Sequence, residues 1–183
     1  MRGKSRFYGT LAAGITLFVW QTISNVAIPW HAATVKAFTD NAAAVQAIHV
    51  VAPTNGVYAS PEGVLAAVSF TPDMADKSKT MGPNMLKQIV IDLFAAFLLC
   101  IVIERIGFGR KRDAAITLAL AGLAAGIIKE MSDWNWYGFA ASYAVVNEID
   151  LTIQFALGGV VIAWVYKRGV RGETVAGGAP VVR

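Results

Sequence analysis

Polar side chains able to move protons or hold a ligand recur one helical turn apart inside otherwise apolar sequence. Gln21 and Asn25 stand four residues apart, as do Gln88 and Asp92, and Asp150 and Gln154. That spacing puts both members of each pair on one helix face. Asp92 is the only charged residue between Gln88 and Ile103. A carboxylate in hydrocarbon costs about 2.5–3.5 kcal/mol on insertion scales, so it faces water or a partner. With a rise of about 1.5 Å per residue, Gln21 and Asp92 fall at similar depth in their helices. Two readings follow. One is a hydrated pocket with a titratable carboxylate at Asp92. The other is a structural network in which Asp92 pairs with Lys87 or Lys129.

A second candidate is the aromatic stretch that carries Trp134, Trp136, Tyr137, Phe139 and Tyr143. Anchoring at the level of lipid headgroups explains it. An aromatic wall for a lipid, quinone or other hydrophobic ligand is the alternative, with Asn147, Glu148 and Asp150 as polar partners. The histidines, His31 and His49, form no metal-binding spacing with each other, and no Cys-x-x-Cys occurs. Cys100 reads as a small apolar filler. No Gly-x-Ser-x-Gly, phosphate loop or dinucleotide fingerprint is present. The expectation is a protein with no catalytic residue, no metal and no cofactor.

The elements that position these residues are apolar helices. Of 183 residues 56% are hydrophobic and 15% charged, against about 45–50% and about 25% in soluble domains. Low charge excludes disorder, and a single cysteine excludes a disulfide scaffold. Four runs are nearly free of charge: Phe7 to Trp30, Gln88 to Ile103, Ala114 to Ile128 and Leu151 to Tyr166. A bilayer needs about 20 apolar residues as helix, so the last three are short unless their charged flanks snorkel. They predict an all-α membrane protein, a four-transmembrane-helix bundle. The first run, with Gln21 inside and Trp30 at its end, reads as an uncleaved signal anchor and not as a shorter signal peptide.

Small residues form seams on the last two spans. Ala115, Ala119, Gly122 and Gly126 step by four, three and four, and Thr152, Ala156, Gly159 and Ala163 repeat those steps. Such stripes let helices approach closely in lipid. They predict packing of these spans as a hairpin, with a homo-oligomer interface as the alternative. Eleven basic residues fall before the first span, between the second and third, and after the fourth, against five elsewhere. The positive-inside rule then puts both termini in the cytoplasm. The basic residues are scattered over three connections, so the net charge of +4 implies no nucleic acid.

The segment from His31 to Met85 predicts a small extracytoplasmic α/β cap between helices 1 and 2. Asp40 is a good N-cap for a helix over Asn41 to Val51, ended by Pro53, Asn55 and Gly56. Val57 to Ser60 and Val64 to Phe70 predict a β-hairpin. Met74 to Pro83 reads as polar connection. The layout is 1–30 for the N-terminal tail and helix 1, 31–85 for the cap, 86–166 for helices 2 to 4, and 167–183 for a cytoplasmic tail.

Three stretches carry a resemblance: Pro29-Trp30-His31, Gly56-Val57-Tyr58, and Trp134 through Tyr143. In this order they resemble a group of small bacterial integral-membrane proteins with no assigned activity, over nearly the whole chain to about Lys167. The resemblance implies four spans and a bacterial inner membrane, and it brings no catalytic residue with it. The function expected is a non-enzymatic integral membrane protein, an accessory, scaffolding or self-associating subunit whose partners are the lipid bilayer and other membrane subunits or itself. A small-solute or ion transport module built on the polar cluster, and a hydrophobic-ligand binder at the aromatic stretch, are the alternatives.

Overall fold

The computed structural model describes residues 2–70 and 77–176. The chain is mostly helical with one two-stranded sheet, and it divides into two compact units, one of residues 1–34 and 85–183 and one of Val35–Asn84.

The larger unit is built from four long helices. Helix α1 (Arg2–Thr22) continues into a π-turn at Ile23–Ala27, followed by the short α2 (Trp30–Thr34). Helix α4 (Lys77–Ile106) ends at Gly107, whose φ of +70° suits a residue without Cβ and whose N–H closes on the Ile103 carbonyl at 2.9 Å. Helix α5 (Lys111–Gly126) starts where the Arg110 N–H donates to the Asp113 carboxylate at 2.9 Å. It runs through a second π-turn (Ile127–Met131) into α6 (Ser132–Tyr137), and α7 (Ala141–Ala176) follows. Among the described residues three helices are long and apolar enough to cross a membrane: Gly3–Ala27, Lys111–Tyr137 and Ala141–Arg168, of 25, 27 and 28 residues. The helices thus run well beyond the charge-free runs, because charged residues at helix ends interrupt hydropathy without interrupting backbone hydrogen bonding.

All four helices share one core of small and aliphatic side chains: Ala13 and Leu17 on α1, Ala96, Leu99, Cys100 and Ile103 on α4, Ala114 and Leu118 on α5, and Ile162 and Ala163 on α7. The two small-residue seams meet face to face. A Cβ on Gly122 would stand 2.9 Å from Phe155, and one on Gly159 would stand 2.6 Å from the Ala114 carbonyl oxygen. The seams therefore serve packing of α5 on α7 within one chain.

In the smaller unit α3 spans Asn41–Val51, and the Ala43 N–H donates to the Asp40 carboxylate at 3.0 Å. Strands β1 (Gly56–Ala59) and β2 (Leu65–Val68) pair antiparallel with Tyr58 opposite Ala66. Tyr58 donates its hydroxyl to the Thr54 carbonyl at 2.7 Å, and the Phe70 N–H donates to Asn55 Oδ1 at 2.6 Å. His49 stacks on Phe70 with ring centroids 3.8 Å apart.

Three boundaries differ from the sequence reading. His31 lies in α2 within the helical unit, because Pro29 turns the chain back before the smaller unit begins at Val35. The polar connection expected over Met74–Pro83 falls outside the described residues as far as residue 76, and from Lys77 it is already α4 with Pro83 inside the helix. Helix α7 continues through the expected tail as far as Ala176.

Candidate functional site

At one end of the helical unit a cavity of about 320 Å³ opens to the surface. Helix α7 lines it with Tyr143, Asn147, Asp150, Leu151 and Gln154. Their spacing of four, three, one and three keeps all five on one helix face. The end of α1 adds Gln21 and, one turn on in the first π-turn, Asn25. His31 comes from α2 and Glu130 from the second π-turn. Both π-turns among the described residues border this cavity. A π-turn widens the helix by one residue and re-aims the side chains it carries, which is why such turns concentrate at functional sites.

Local sequence places His31. Ile28 closes the first π-turn by donating its N–H to the Ile23 carbonyl at 3.2 Å, and is itself extended, as a residue before proline must be. Pro29 then starts a reversed turn whose carbonyl accepts from Ala33 at 3.0 Å. The reversal lets Trp30 Nε1 donate to Ser24 Oγ at 3.0 Å and to the Ser24 carbonyl at 3.1 Å. His31 Nε2 stands 3.1 Å from Ser24 Oγ and 3.2 Å from Asp150 Oδ2. The other oxygen of Asp150 accepts from Trp20 Nε1 at 2.6 Å.

Serine, histidine and aspartate are therefore adjacent, and their geometry decides what they do. A nucleophilic relay needs the hydroxyl and the carboxylate on opposite ring nitrogens. Here both approach Nε2. Because a carboxylate only accepts, Nε2 carries the proton and takes none from Ser24. Ser24 is also fully buried. The arrangement fixes the Asp150 side chain at the wall of the cavity, with a donor on each oxygen.

Glu130 accepts from Asn147 Nδ2 at 3.5 Å and lies 3.7 Å from Lys129 Nζ. Lys129 is mostly exposed and is also bonded to Asp133. Gln154 is only 9% exposed, borders the cavity and meets no hydrogen-bond partner among the described residues. Among the described residues no group of three His, Cys, Asp or Glu side chains is placed to hold a metal ion.

Of the polar candidates read from the sequence, Gln21, Asn25, Asp150 and Gln154 line the cavity. Gln88 and Asp92 stand apart from its lining: Gln88 Nε2 donates to Asp92 Oδ1 at 3.1 Å, and Asp92 is 2% exposed with Gln21 facing it from α1. Lys129 bonds Asp133 and Glu130, and the expected Lys129 to Asp92 pair is not seen among the described residues, because Asp133 at the start of α6 already offers Lys129 a carboxylate one turn away. The aromatic stretch is partly helical. Trp134, Trp136 and Tyr137 sit on α6 and are exposed, Phe139 follows Gly138, and only Tyr143 reaches the cavity. Trp20, Ser24, His31, Glu130 and Asn147 enter the site without a sequence pair to mark them. Asn147 alone had a signal, since Tyr143, Asn147, Asp150 and Gln154 recur at four, three and four.

No family model, curated protein or solved structure matches this chain.

Proposed function

We propose that the chain is a non-enzymatic integral membrane protein that crosses the bilayer four times, α4 being the second crossing, and acts as a binding or accessory subunit of a membrane assembly. The observation that carries this reading is the division of the helix surfaces. Phe7, Leu11, Ile15 and Val19 on α1, and Leu86, Val90 and Phe94 on α4, are exposed at steps of about one turn, Phe94 by 64%. Apolar stripes of this extent suit lipid, not water. Four crossings place both termini on the side of the eleven basic residues, the cytoplasm by the positive-inside rule, with the cavity opening on the other side. Below Gln21 the helices close on Leu17, Leu118 and other buried apolar side chains, which favours a closed receptor over a conduit.

Topology mapping tests the proposal. In a Cys100→Ser background, single cysteines at Ser60 and Gly109 are challenged with a membrane-impermeant maleimide. The expected result is labelling of position 60 in intact cells, labelling of position 109 only after permeabilisation, and retention of the chain in carbonate-washed membranes. Labelling of both from one side, or recovery of the chain in the soluble fraction, overturns it.

A further inference from the structure

We infer that the cavity between the two π-turns is a binding site for a small primary ammonium ion, an inference that rests on the reading of the chain as a binding subunit. Three independent features point to this chemistry. The first is charge. The titratable and charged groups around the cavity are Asp150, Glu130, His31 and Tyr143, with Lys129 and Asp133 beside Glu130. His31 donates to Asp150, and Lys129 is shared between Glu130 and Asp133, so anionic groups outnumber cationic ones. A concave site lined by one sign of charge concentrates ions of the other.

The second feature is hydrogen-bonding capacity left open. Gln154 is nine-tenths buried, borders the cavity and has no partner among the described residues. Its carboxamide is open to the cavity and not sealed from solvent, and a ligand that supplies donors can take its carbonyl oxygen. Carboxylate and carboxamide oxygens accept N–H bonds, which an R–NH3⁺ group has and a quaternary ammonium lacks. Tyr143 is the one Phe, Tyr or Trp ring in this lining, so the aromatic cage that quaternary ions need is missing from it. The third feature is size. A volume of about 320 Å³ stands at the small end of ligand sites, and Leu151 gives a short apolar surface for a carbon chain.

The ammonium group can belong to a free amine or to an aminoethyl lipid headgroup. The test uses the full chain in a maltoside detergent and follows its thermal midpoint and Trp fluorescence, Trp20 being bonded to Asp150. The probes are ethanolamine, putrescine, histamine and agmatine, with tetramethylammonium and acetate as controls. At least one primary amine is expected to give a saturable rise in midpoint that the controls do not. Gln154→Leu and Glu130→Gln are expected to weaken it at least tenfold. Asp150→Asn is a secondary variant because Asp150 also carries packing contacts, whereas Gln154 has no bond to lose. Competition by nanodiscs of phosphatidylethanolamine but not phosphatidylglycerol assigns the ammonium group to a lipid, and its absence assigns it to a free amine; both support the site. No response to any primary amine, equal response to tetramethylammonium or acetate, or unchanged affinity in both folded variants overturns it. Overturned in a chain that still maps as four crossings, the inference fails alone. A chain that maps otherwise takes the functional reading with it.

Discussion

His31 and Asp150, 119 residues apart in the chain, meet through a single ring nitrogen, with Nε2 3.2 Å from Oδ2. Trp20 holds the other carboxylate oxygen at 2.6 Å. Two donors from the α1 end and α2 thus fasten α7 by one side chain. Hydrogen bonds to charged groups contribute about 1.5–3 kcal/mol, and polar pairs in membranes average lower, about 0.6 kcal/mol. Trp20→Phe and His31→Phe are each expected to lower stability by about 1–2 kcal/mol, less than additively because they share one carboxylate. Unfolding of the purified chain in sodium dodecyl sulfate measures both. Unchanged midpoints in the two variants contradict the assignment.

Adjacent glycines give a sharper test of the helix seam. A Cβ at Gly158 would lie 3.5 Å from Leu17 and Leu99, ordinary contact with side chains, whereas one at Gly159 would press on the Ala114 carbonyl oxygen at 2.6 Å. Side chains yield where backbone does not. Gly159→Ala is expected to cost about 1–3 kcal/mol, and Gly158→Ala close to nothing. Equal thermal midpoints in detergent for the two variants contradict direct packing of α5 on α7.

The seam was legible because small residues at helical spacing have one main use in a bundle. Asp40 was legible for a similar reason, since a side-chain acceptor before an alanine-rich run can satisfy a free N–H, and α3 starts after it at Asn41. The site was half legible. Gln21, Asn25, Asp150 and Gln154 stand out as polar groups in apolar runs, but nothing local marks His31, whose position depends on Pro29 reversing the chain. The π-turns are equally silent, since one extra residue in a turn leaves the 3.6-residue pattern of the flanking helix intact. Pro83 misled in the other direction: it reads as the end of a polar connection and lies inside α4.

The hairpin of the smaller unit carries a pH-dependent contact. The Ser60 hydroxyl, and then the Glu62 backbone N–H, hold the Glu62 carboxyl below its ordinary value. A carboxyl depressed in the folded state adds stability above its unfolded pKa and loses it as pH falls through the folded one. Amide exchange of the β1–β2 turn is therefore expected to quicken on acidification from neutral pH, beyond the intrinsic pH dependence of exchange. Ser60→Ala is expected to flatten that excess. A turn whose protection is the same at acid and neutral pH in the parent chain argues against the contact.

Glu104 joins three helices at the end opposite the cavity. Arg6 Nε on α1 donates to its two oxygens at 3.0 and 3.1 Å, and the Tyr166 hydroxyl on α7 donates to Oε1 at 2.8 Å. Neither partner is near Glu104 in the chain, so no sequence pattern marks it. Its side chain is 12% exposed and that of Arg6 35%, so the pair is only partly screened by solvent. Breaking such a pair from one side leaves a charge short of partners, which costs more than the pair itself is worth. Arg6→Met and Tyr166→Phe are each expected to lower the unfolding midpoint, and Arg6→Met with Glu104→Gln by less than the sum of the two single changes. A double-mutant cycle on unfolding midpoints measures the coupling. A coupling energy of zero shows that the two side chains are neighbours without being a fastening, and this end of the helical unit is then held by its apolar core, Ile103 with Ile162, alone.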